Sequence, residues 1–387
     1  MKNVKFNNSI FRTVKLILIS LSITILLISC ADDPPIASSP TLAEDLQKAL
    51  DEGIVKYGGK GISAAVIMPD GYVWKGVSGI SHGSTKITSD MVFSAGSITK
   101  TFTAATIMLL AEEGKLSIDD SLHKWLPSFP NIDSTITIRQ LLNHTSGIFN
   151  LTRHPTIWWE IFSDPGRIWD VEEFVRTFTL EPDFPKGTDW NYSNTGYLLL
   201  RMIIREASGS QISSEYRNRF FLPLGLAKSY LAIEENPFEN VAHGWFDYSG
   251  DGTYDDLNLI SMNAFYSGIG GGVYCTAEEL ALWIKALLRD GVVVSQSSLN
   301  HMLDFHSPCP GEPMVSGYGL GILRFAPSLL NGVNAIGHGG DAPGYAAGSL
   351  YLPDYDVCIG IMDNTQDGNT MPVINDIITV IQNHLNR

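Results

Sequence analysis

The strand-forming segments of this chain lie at its two ends, and this separation limits the folds that the chain can adopt. Near the N-terminus, residues 62–68 and 72–80 flank the turn tripeptide Pro69-Asp70-Gly71, which predicts an antiparallel hairpin. Strand patterns return only late, in residues 318–325, 334–339, 348–352 and 357–362. The pattern predicts an α+β fold, in which both ends of the chain form one antiparallel sheet and a mostly helical domain is inserted between them.

Apolar residues at helical spacing predict one helix at each end of this folded region, in residues 41–53 and 371–385. We expect these N- and C-terminal helices to flank the sheet. Residues 41–95 and 261–387 are therefore assigned to the sheet domain, and residues 96–260 to the helical domain. A functional site is expected in the cleft where the two domains meet.

The first 30 residues have the pattern of a signal peptide, because four basic residues precede an apolar run at 16–28. The run is short for a membrane-spanning anchor, which needs about 20 residues. It ends in Leu27-Ile28-Ser29-Cys30, which resembles the bacterial lipobox and predicts lipidation of Cys30. We expect an exported lipoprotein on the periplasmic side or cell surface, held to the membrane by the lipid alone. Residues 31–40, rich in Asp, Pro and Ser, are interpreted as a flexible linker.

Charge and cysteine content argue against two classes of function. The chain has 26 Lys and Arg residues against 41 Asp and Glu residues, so a nucleic-acid partner is not expected. After Cys30 only Cys275, Cys309 and Cys358 remain, an odd number without metal-like spacing. The sequence therefore predicts no disulfide framework, no metal site and no cofactor.

A short tetrad at the start of an apolar helix carries the first chemical signal. Residues three apart lie on one face of a helix, so the Ser97 hydroxyl and the Lys100 amine can meet. The lysine can accept the serine proton if burial and the helix N-terminus keep its amine partly neutral. Taken alone, the tetrad favours a helix-capping Ser97 and a solvent-facing Lys100, because such tetrads occur by chance in most chains of this size.

Two later clusters offer polar partners for this pair. Tyr192 has a phenol that can move a proton, and Asn194 has an amide that can orient Lys100 and a substrate. The segment Gly337-His338-Gly339-Gly340-Asp341 lies on a late predicted strand. Glycines there let a substrate lie close to the strand, and a backbone N–H group can point at a developing oxyanion.

Together, Ser97-x-x-Lys100, Tyr192-x-Asn194 and His338-Gly339-Gly340 resemble the three motifs of the serine β-lactamase and penicillin-binding protein superfamily, in the order of its class C branch. Four further segments are similar to family segments, at residues 137–147, 184–188, 270–280 and 318–321. Seven matches in order favour a nucleophilic Ser97 over a helix cap. The resemblance implies a β-lactamase/transpeptidase-like fold.

The resemblance also implies an acyl-enzyme cycle. Ser97 attacks a carbonyl while Lys100 and Tyr192 handle its proton, and Tyr192 then protonates the leaving group. Whether Lys100 or Tyr192 is the general base stays open at this point. The amide N–H groups of Ser97 and Asp341 are implied to hold the oxyanion, and the remaining substrate-binding positions are Asn194, His338, Gly339 and Gly340.

The third motif distinguishes the possible activities. β-Lactamases of this branch usually have Lys-Thr-Gly there, whereas a His in first place resembles its DD-peptidases and esterases. His338 carries less charge at pH 7 than lysine, and Asp341 is negative, so both weaken a site for a substrate carboxylate. Arg324, on the preceding strand, is a candidate replacement cation.

We therefore predict a serine hydrolase of the D-alanyl-D-alanine carboxypeptidase-like or esterase type, with a small-molecule or peptide substrate. A β-lactamase is one alternative, and a non-catalytic muropeptide- or penicillin-binding protein is another. Trp158, Trp159, Trp190 and Tyr192 are candidates for an aromatic wall over the cleft, with ordinary packing as the alternative. His144 is interpreted as a structural residue.

Overall fold

The computed structural model describes residues 40–235, 240–259, 262–269, 272–306, 308–366 and 370–385. The predicted signal peptide with Cys30 and residues 31–39 of the predicted linker lie outside these residues, whereas Pro40 is the first residue of a helix. The helices, in chain order, are α1 (Pro40–Tyr57), α2 (Thr99–Glu112), α3 (Ile138–Leu142), α4 (Ile157–Ser163), α5 (Val171–Phe178), α6 (Asn194–Ser208), α7 (Ile212–Tyr216), α8 (Asn263–Gly268), α9 (Ala277–Ile284), α10 (Gln296–Met302) and α11 (Thr370–Leu385).

The strands are shorter on average than the helices. In chain order they are β1 (Gly61–Ile67), β2 (Val73–His82), β3 (Thr85–Lys86), β4 (Phe93–Ser94), β5 (Tyr230–Leu231), β6 (Trp245–Phe246), β7 (Asp255–Asp256), β8 (Val273–Cys275), β9 (Val315–Tyr318), β10 (Leu323–Phe325), β11 (Ile336–Ala342), β12 (Tyr345–Leu352) and β13 (Val357–Asp363).

Eight of these strands form one antiparallel sheet with the order β3-β2-β1-β13-β12-β11-β10-β9. The first and last parts of the chain meet where β1 pairs with β13, with Ala64 opposite Ile361. The predicted sheet from both chain ends is therefore confirmed, as is the α+β fold class. Strand β1 is buried along its whole length because helices cover both faces of the sheet.

The two faces of β1 contact different layers. Ile62, Ala64 and Val66 belong to the core formed with α1 and α11, whereas Ala65 and Ile67 belong to the larger core that includes α9. This alternation follows from the period of two in a strand. The expected flanking helices are thus both present on one face, and α1 extends four residues beyond its predicted end.

Two predicted elements differ from the structure. Residues 318–325 are not one strand, because the chain turns back at Gly321 (φ +75°) and gives β9 and β10 instead. A Cβ at Gly321 would lie 2.6 Å from Cβ of Ala104, so the turn packs directly on α2. Residues 213–221 have the sequence pattern of one continuous helix, and the structure divides them into α7 and a π-helical turn at Arg217–Phe221.

Helix α2 is buried nearly all round, packing mainly on α6 and continuing from the turn that carries Ser97. Its apolar sequence explains this position, since a helix without a polar face is stable only inside a core. The described residues form one compact unit, and the division into a sheet domain and a helical domain stays a prediction. Among the described residues, no helix is both long and apolar enough to cross a bilayer.

Candidate active site

Ser97 lies in a one-turn 3-10 helix, Gly96–Ile98, that leads into α2 and packs against strand β11. Two glycines make this approach possible. A Cβ at Gly96 (φ +50°) would lie 2.6–2.8 Å from the backbone of Asp341, and one at Gly340 would lie 2.0 Å from the carbonyl oxygen of Ala95. The first and third motifs are therefore in backbone contact.

The alternative interpretation of the tetrad does not agree with the structure. The N-cap of α2 is Ile98, and no side chain caps that helix end. Lys100 is only 6% exposed, so it is not a solvated residue of the first turn. Ser97 lies in the wall of a cavity instead.

The amine of Lys100 connects the first and second motifs. Its Nζ atom lies 3.0 Å from Oγ of Ser97 and donates to Oδ1 of Asn194 at 2.8 Å. The ring centroids of Tyr192 and Tyr197 are 4.9 and 5.4 Å away. Burial lowers the pKa of Lys100 from its ordinary 10.5 to about 7, so a large fraction of the amine is neutral at pH 7.

The phenol of Tyr192 responds to the same environment in the opposite sense. Burial raises its pKa, and the negative charges of Asp341 and Glu312 act in the same direction, whereas a hydrogen bond with Ser97 lowers it. Desolvation penalises the charged form of any group, which is the phenolate here and the ammonium in Lys100. Tyr192 therefore keeps its proton at neutral pH.

Asn194 is held at the start of α6, where the side chain of its neighbour Ser193 caps the helix. The Asn194 side-chain amide donates to Oδ1 of Asn150 at 3.3 Å, and its backbone N–H donates to the same oxygen at 3.2 Å. Asn150 thus orients the group that orients Lys100. No local pattern in the sequence predicts this role of Asn150, because it contacts a residue 44 positions away.

His144 lies beneath the second motif. Its Nδ1 accepts the backbone N–H of Ser193 at 3.2 Å, and its ring centroid is 4.4 Å from that of Tyr192. Burial holds its pKa well below the ordinary value, and the charge of Lys100 acts in the same direction. A neutral, tightly packed His144 agrees with the structural interpretation and supports the position of Tyr192.

His338 is only 2% exposed and is fixed by two hydrogen bonds. Its Nε2 lies 3.1 Å from the hydroxyl oxygen of Tyr318, and its Nδ1 lies 2.5 Å from the carbonyl oxygen of Gly339. Burial, with the nearby charge of Lys100, lowers its pKa to about 3, although the bond to Gly339 opposes this shift. His338 therefore carries no positive charge at pH 7, and Tyr318, in the family-like segment 318–321, supports it through a contact that the sequence did not predict.

Arg324 does not replace the missing cation. Its guanidinium donates to the backbone oxygen of Ser316 at 3.1 Å and lies 4.9 Å from the ring of Phe305. It is absent from the described residues that line the cavity at Ser97. The prediction that Arg324 supplies the cation is thus wrong, because its side chain lies on the face of β10 that points away from the cavity.

The cavity at Ser97 has a volume of about 570 Å³ and brings the three motifs together. Its wall includes Ser97, Tyr192 and the strand segment from His338 to Asp341, so each predicted site residue other than Cys30 lies in it or directly behind it. The other lining residues are Trp190, Glu312, Met314, Val315, Leu323, Phe325, Leu329, Ala347, Thr370, Met371, Pro372 and Asn375.

The charge of this cavity is unusual for a site that binds carboxylates. Within the described part of the chain, its wall contains two acids, Glu312 and Asp341, and no Lys or Arg side chain. Burial raises the pKa of Glu312, and the charge of Asp341 raises it further. No group of three or more His, Cys, Asp or Glu among the described residues is placed to hold a metal ion.

A second cavity of about 410 Å³ adjoins the first at Asp341 and is lined mainly by aromatic rings. Trp158 lines this second cavity, whereas Trp190 and Tyr192 line the first one. Trp159 is 68% exposed and is in neither wall as described. The predicted aromatic wall is therefore divided between two cavities, and Trp159 has no part in it.

Comparisons with known proteins test the family and the fold that the motifs imply. The sequence profile described as Beta-lactamase matches residues 44–381. Penicillin-binding protein 4* of Bacillus subtilis is 29% identical over 290 residues, which cover 72% of this chain and 62% of that protein. The chain thus spans less than two thirds of the length of this relative.

Two solved structures are also similar. A D-stereospecific amidohydrolase from Streptomyces sp. has a TM-score of 0.76 and 29% identity, covering 86% of this chain and 97% of that one. The D-amino acid amidase from Ochrobactrum anthropi SV3, complexed with L-phenylalanine amide, has a TM-score of 0.77 and 25% identity, covering 89% and 99%. These comparisons bear out the β-lactamase/transpeptidase-like fold expected from the motifs.

Proposed function

Because the chain belongs to the Beta-lactamase family, and because the amidohydrolase and the amidase compared above are serine hydrolases, we propose that it hydrolyses amides or esters through an acyl-enzyme on Ser97. The observation that carries this proposal is a pair of hydrogen bonds at the buried Lys100. They link its Nζ atom to Oγ of Ser97 and to Oδ1 of Asn194. A serine becomes nucleophilic when a positioned base takes its proton, and the Lys100 amine lies 3.0 Å from the Ser97 hydroxyl oxygen.

Lys100 is the general base in this proposal, and Tyr192 is the acid. A base needs a neutral fraction near the working pH, which the pKa of about 7 gives to Lys100. The raised pKa of Tyr192 keeps its phenol protonated, so it is suited to donate a proton to the leaving group. Its hydrogen bond with Ser97 places that donor beside the reacting oxygen.

The oxyanion is assigned to the backbone N–H groups of Ser97 and Asp341. Support comes from the close approach of the two backbones, since a Cβ at Gly96 would lie 2.7 Å from the nitrogen of Asp341. Removal of one such donor costs about 2.7–4 kcal/mol in other hydrolases. The glycines at 96 and 340 would then matter for catalysis because they hold the strand against the nucleophile.

The charge of the cavity favours amides and esters without a free carboxylate in the leaving group. A C-terminal carboxylate would face Glu312 and Asp341 with a neutral His338 and no Lys or Arg in the described wall. Of the two activities expected from the motifs, we therefore favour ester or amide hydrolysis over D-alanyl-D-alanine carboxypeptidase action. The L-phenylalanine amide in the complex of the Ochrobactrum neighbour belongs to the favoured class. β-Lactamase action is disfavoured by the same charges.

Labelling with a fluorescent fluorophosphonate tests the nucleophile. We expect wild-type protein to be labelled and Ser97→Ala to be unlabelled, with intact mass showing one adduct per chain. Equal labelling of both proteins would contradict the assignment. Ester turnover that depends on Ser97 would also exclude a non-catalytic muropeptide-binding protein.

A substrate panel tests the activity. It consists of a p-nitrophenyl ester, D-phenylalanine amide, an acyl-D-Ala-D-Ala peptide and a chromogenic cephalosporin. We expect the first two to be hydrolysed with the higher kcat/KM values. Faster cleavage of acyl-D-Ala-D-Ala than of the ester and the amide would restore the carboxypeptidase interpretation.

We also propose that the protein is exported and anchored by lipid on Cys30, with the support of the basic, apolar and lipobox-like pattern of residues 1–30. Metabolic labelling with a palmitate analogue should mark the wild-type chain and not Cys30→Ser. Equal labelling of Cys30→Ser would contradict the anchor while leaving the proposed chemistry intact.

A further inference from the structure

We propose that the aromatic cavity beside Asp341 binds the acyl side of the substrate and selects acyl groups with an aromatic or similarly large apolar substituent. This inference rests on the proposed acyl-enzyme at Ser97. It names the substrate class that such an enzyme would take, and the specificity-determining residues are Trp158, Phe162, Phe246 and Phe265.

Strand β11 connects the two cavities. Residues 338–341 line the cavity that contains Ser97, and residues 341–343 line the aromatic cavity, with Asp341 in both walls. The β11 backbone at Gly340 and Asp341 also contacts the turn that carries Ser97. A carbonyl carbon attacked by Ser97 therefore lies near the junction, with one half of the substrate on each side.

The position of Tyr192 determines which cavity takes the leaving group and which takes the acyl group. A proton donor must lie within hydrogen-bond reach of the leaving-group atom. Tyr192 lines the cavity at Ser97 and is absent from the described wall of the aromatic cavity. The leaving group thus occupies the cavity with Tyr192 and Glu312, and the acyl group extends along β11 in the other direction.

The aromatic cavity has the chemistry of a site for an apolar ring. Trp158 and Phe162 come from α4, Phe246 from β6 and Phe265 from α8, so three separate elements supply its rings. Trp158 lies 5.8 Å from Phe162 and 6.3 Å from Phe265, with nearly parallel planes. Asp341 is the only acid in the described wall, which otherwise contains Gln366, Ala342, Pro343 and Tyr345.

The size and exposure of the cavity also fit an aromatic ligand. An apolar cavity of roughly 150 Å³ accepts benzene in another protein, and this cavity has about 410 Å³. Trp158 is 39% exposed even though rings pack on it, so it presents apolar surface that a ligand would cover. Covering such surface favours binding of the larger acyl group.

The test compares p-nitrophenyl acetate with p-nitrophenyl phenylacetate, which share a leaving group. Values of kcat/KM are divided by the hydroxide-catalysed rate of each ester, which removes their difference in intrinsic reactivity. We expect wild type to prefer the phenylacetyl ester by roughly 10- to 100-fold. Trp158→Ala and Phe246→Ala should each reduce this ratio by about tenfold.

Trp159→Ala is the matched control, because Trp159 is the next residue on α4 and is largely exposed outside the described wall. It should keep the wild-type ratio. Melting temperatures of the variants show that each chain is folded, and Phe246→Ala provides a second variant on a different element.

The inference is overturned if wild type shows a corrected ratio near one, or if Trp158→Ala and Phe246→Ala both keep the wild-type ratio. Failure of the proposed function has another signature, since Ser97→Ala would then hydrolyse both esters as fast as wild type. A Ser97-dependent enzyme without acyl preference would therefore disprove the aromatic acyl site alone.

Discussion

Lys100 and His338 lie in the same site and are both buried, yet burial leaves them with different chemical properties. The pKa of Lys100 falls from 10.5 to about 7, where the amine changes its charge near neutral pH. The pKa of His338 falls from 6.5 to about 3, where the imidazole is already neutral and stays so. The same loss of solvation thus yields a group suited to proton transfer in one motif and an uncharged hydrogen-bonding group in the other.

The site thus has two halves, one around Lys100 and one around His338. The turn and helix from Ser97 to Lys100 form the half that moves protons, with Tyr192 and Asn194 beside it. The strand segment from His338 to Asp341 forms the half that shapes the cavity. Its contribution lies in backbone contact and in negative charge, without the cation that a lysine would bring to the first place of the motif.

The largest expected effect is on the proton-transfer half. Lys100→Met should lower kcat/KM for an ester by roughly 10²- to 10⁴-fold, because the base of the proposed mechanism is lost. Folding should not suffer, because a buried amine that favours its neutral form is replaced by an apolar chain of similar length. Steady-state kinetics and thermal melting measure the two effects.

Lys115→Met is the control for this change, because Lys115 follows the same helix and its side chain is 44% exposed. It should retain wild-type activity. Wild-type kinetics in Lys100→Met would show that Lys100 has no role as the base, and the contrast with His338 would lose its meaning.

The next effect concerns the shape of the strand half. Gly340→Ala should lower the free energy of unfolding by about 1–3 kcal/mol and reduce activity, because the new Cβ would lie 2.0 Å from a backbone oxygen of Ala95. Gly339→Ala is the matched variant, since its Cβ would meet nothing closer than 3.9 Å. Urea unfolding of both proteins measures the difference. Equal stability of the two variants would contradict the backbone contact.

The third effect is a shift in pH dependence. Since the base is active when neutral, kcat/KM should rise with pH through a midpoint near 7. Asn194→Asp puts a carboxylate 2.8 Å from the amine, which should raise the pKa of Lys100 and move the midpoint up by about 1–3 units.

The pH profile of His338→Asn provides the contrasting measurement. It should keep a midpoint near that of wild type, because His338 is already neutral across this range. An unchanged or lower midpoint in Asn194→Asp would contradict the assignment of the titrating group to Lys100.

The smallest effect concerns the charge of the cavity. Glu312→Gln should raise kcat/KM for an acyl-D-Ala-D-Ala peptide, relative to its C-terminal amide, by roughly 3- to 10-fold, because one repelling charge is removed. Glu44→Gln, on the exposed face of α1, makes the same charge change far from the cavity and should leave the ratio unaltered. An unchanged ratio in Glu312→Gln would show that Glu312 does not act on the leaving group.

Motif order was enough to place the chain in its fold class and to select the residues of the proton-transfer half. The contact between Ser97 and Lys100 is local, since three residues on a helix bring two side chains to one face. The resemblance supplied the pairing with Asn194 and Tyr192, and the structure places all four side chains together.

Motifs and spacings do not predict contacts between residues that are far apart in the sequence. Asn150 orients Asn194, and Tyr318 binds His338, yet both act across long stretches of sequence. The division of residues 318–325 into two strands follows from the packing of Gly321 on α2, which strand propensity does not contain. A strand pattern alone also does not show that the side chain of Arg324 is held at Ser316 and not in the cavity.

The sequence by itself therefore determined the α+β fold and the strands at both chain ends, because these depend on periodicity and turn signals, and its family-like motifs selected the candidate reactive residues. Only the tertiary structure decided the charge state of those residues, since burial and neighbouring charges set the pKa values of Lys100, Tyr192 and His338. The two unlike cavities that meet at Asp341 also exist only in the tertiary structure, because their walls are assembled from elements far apart in the chain.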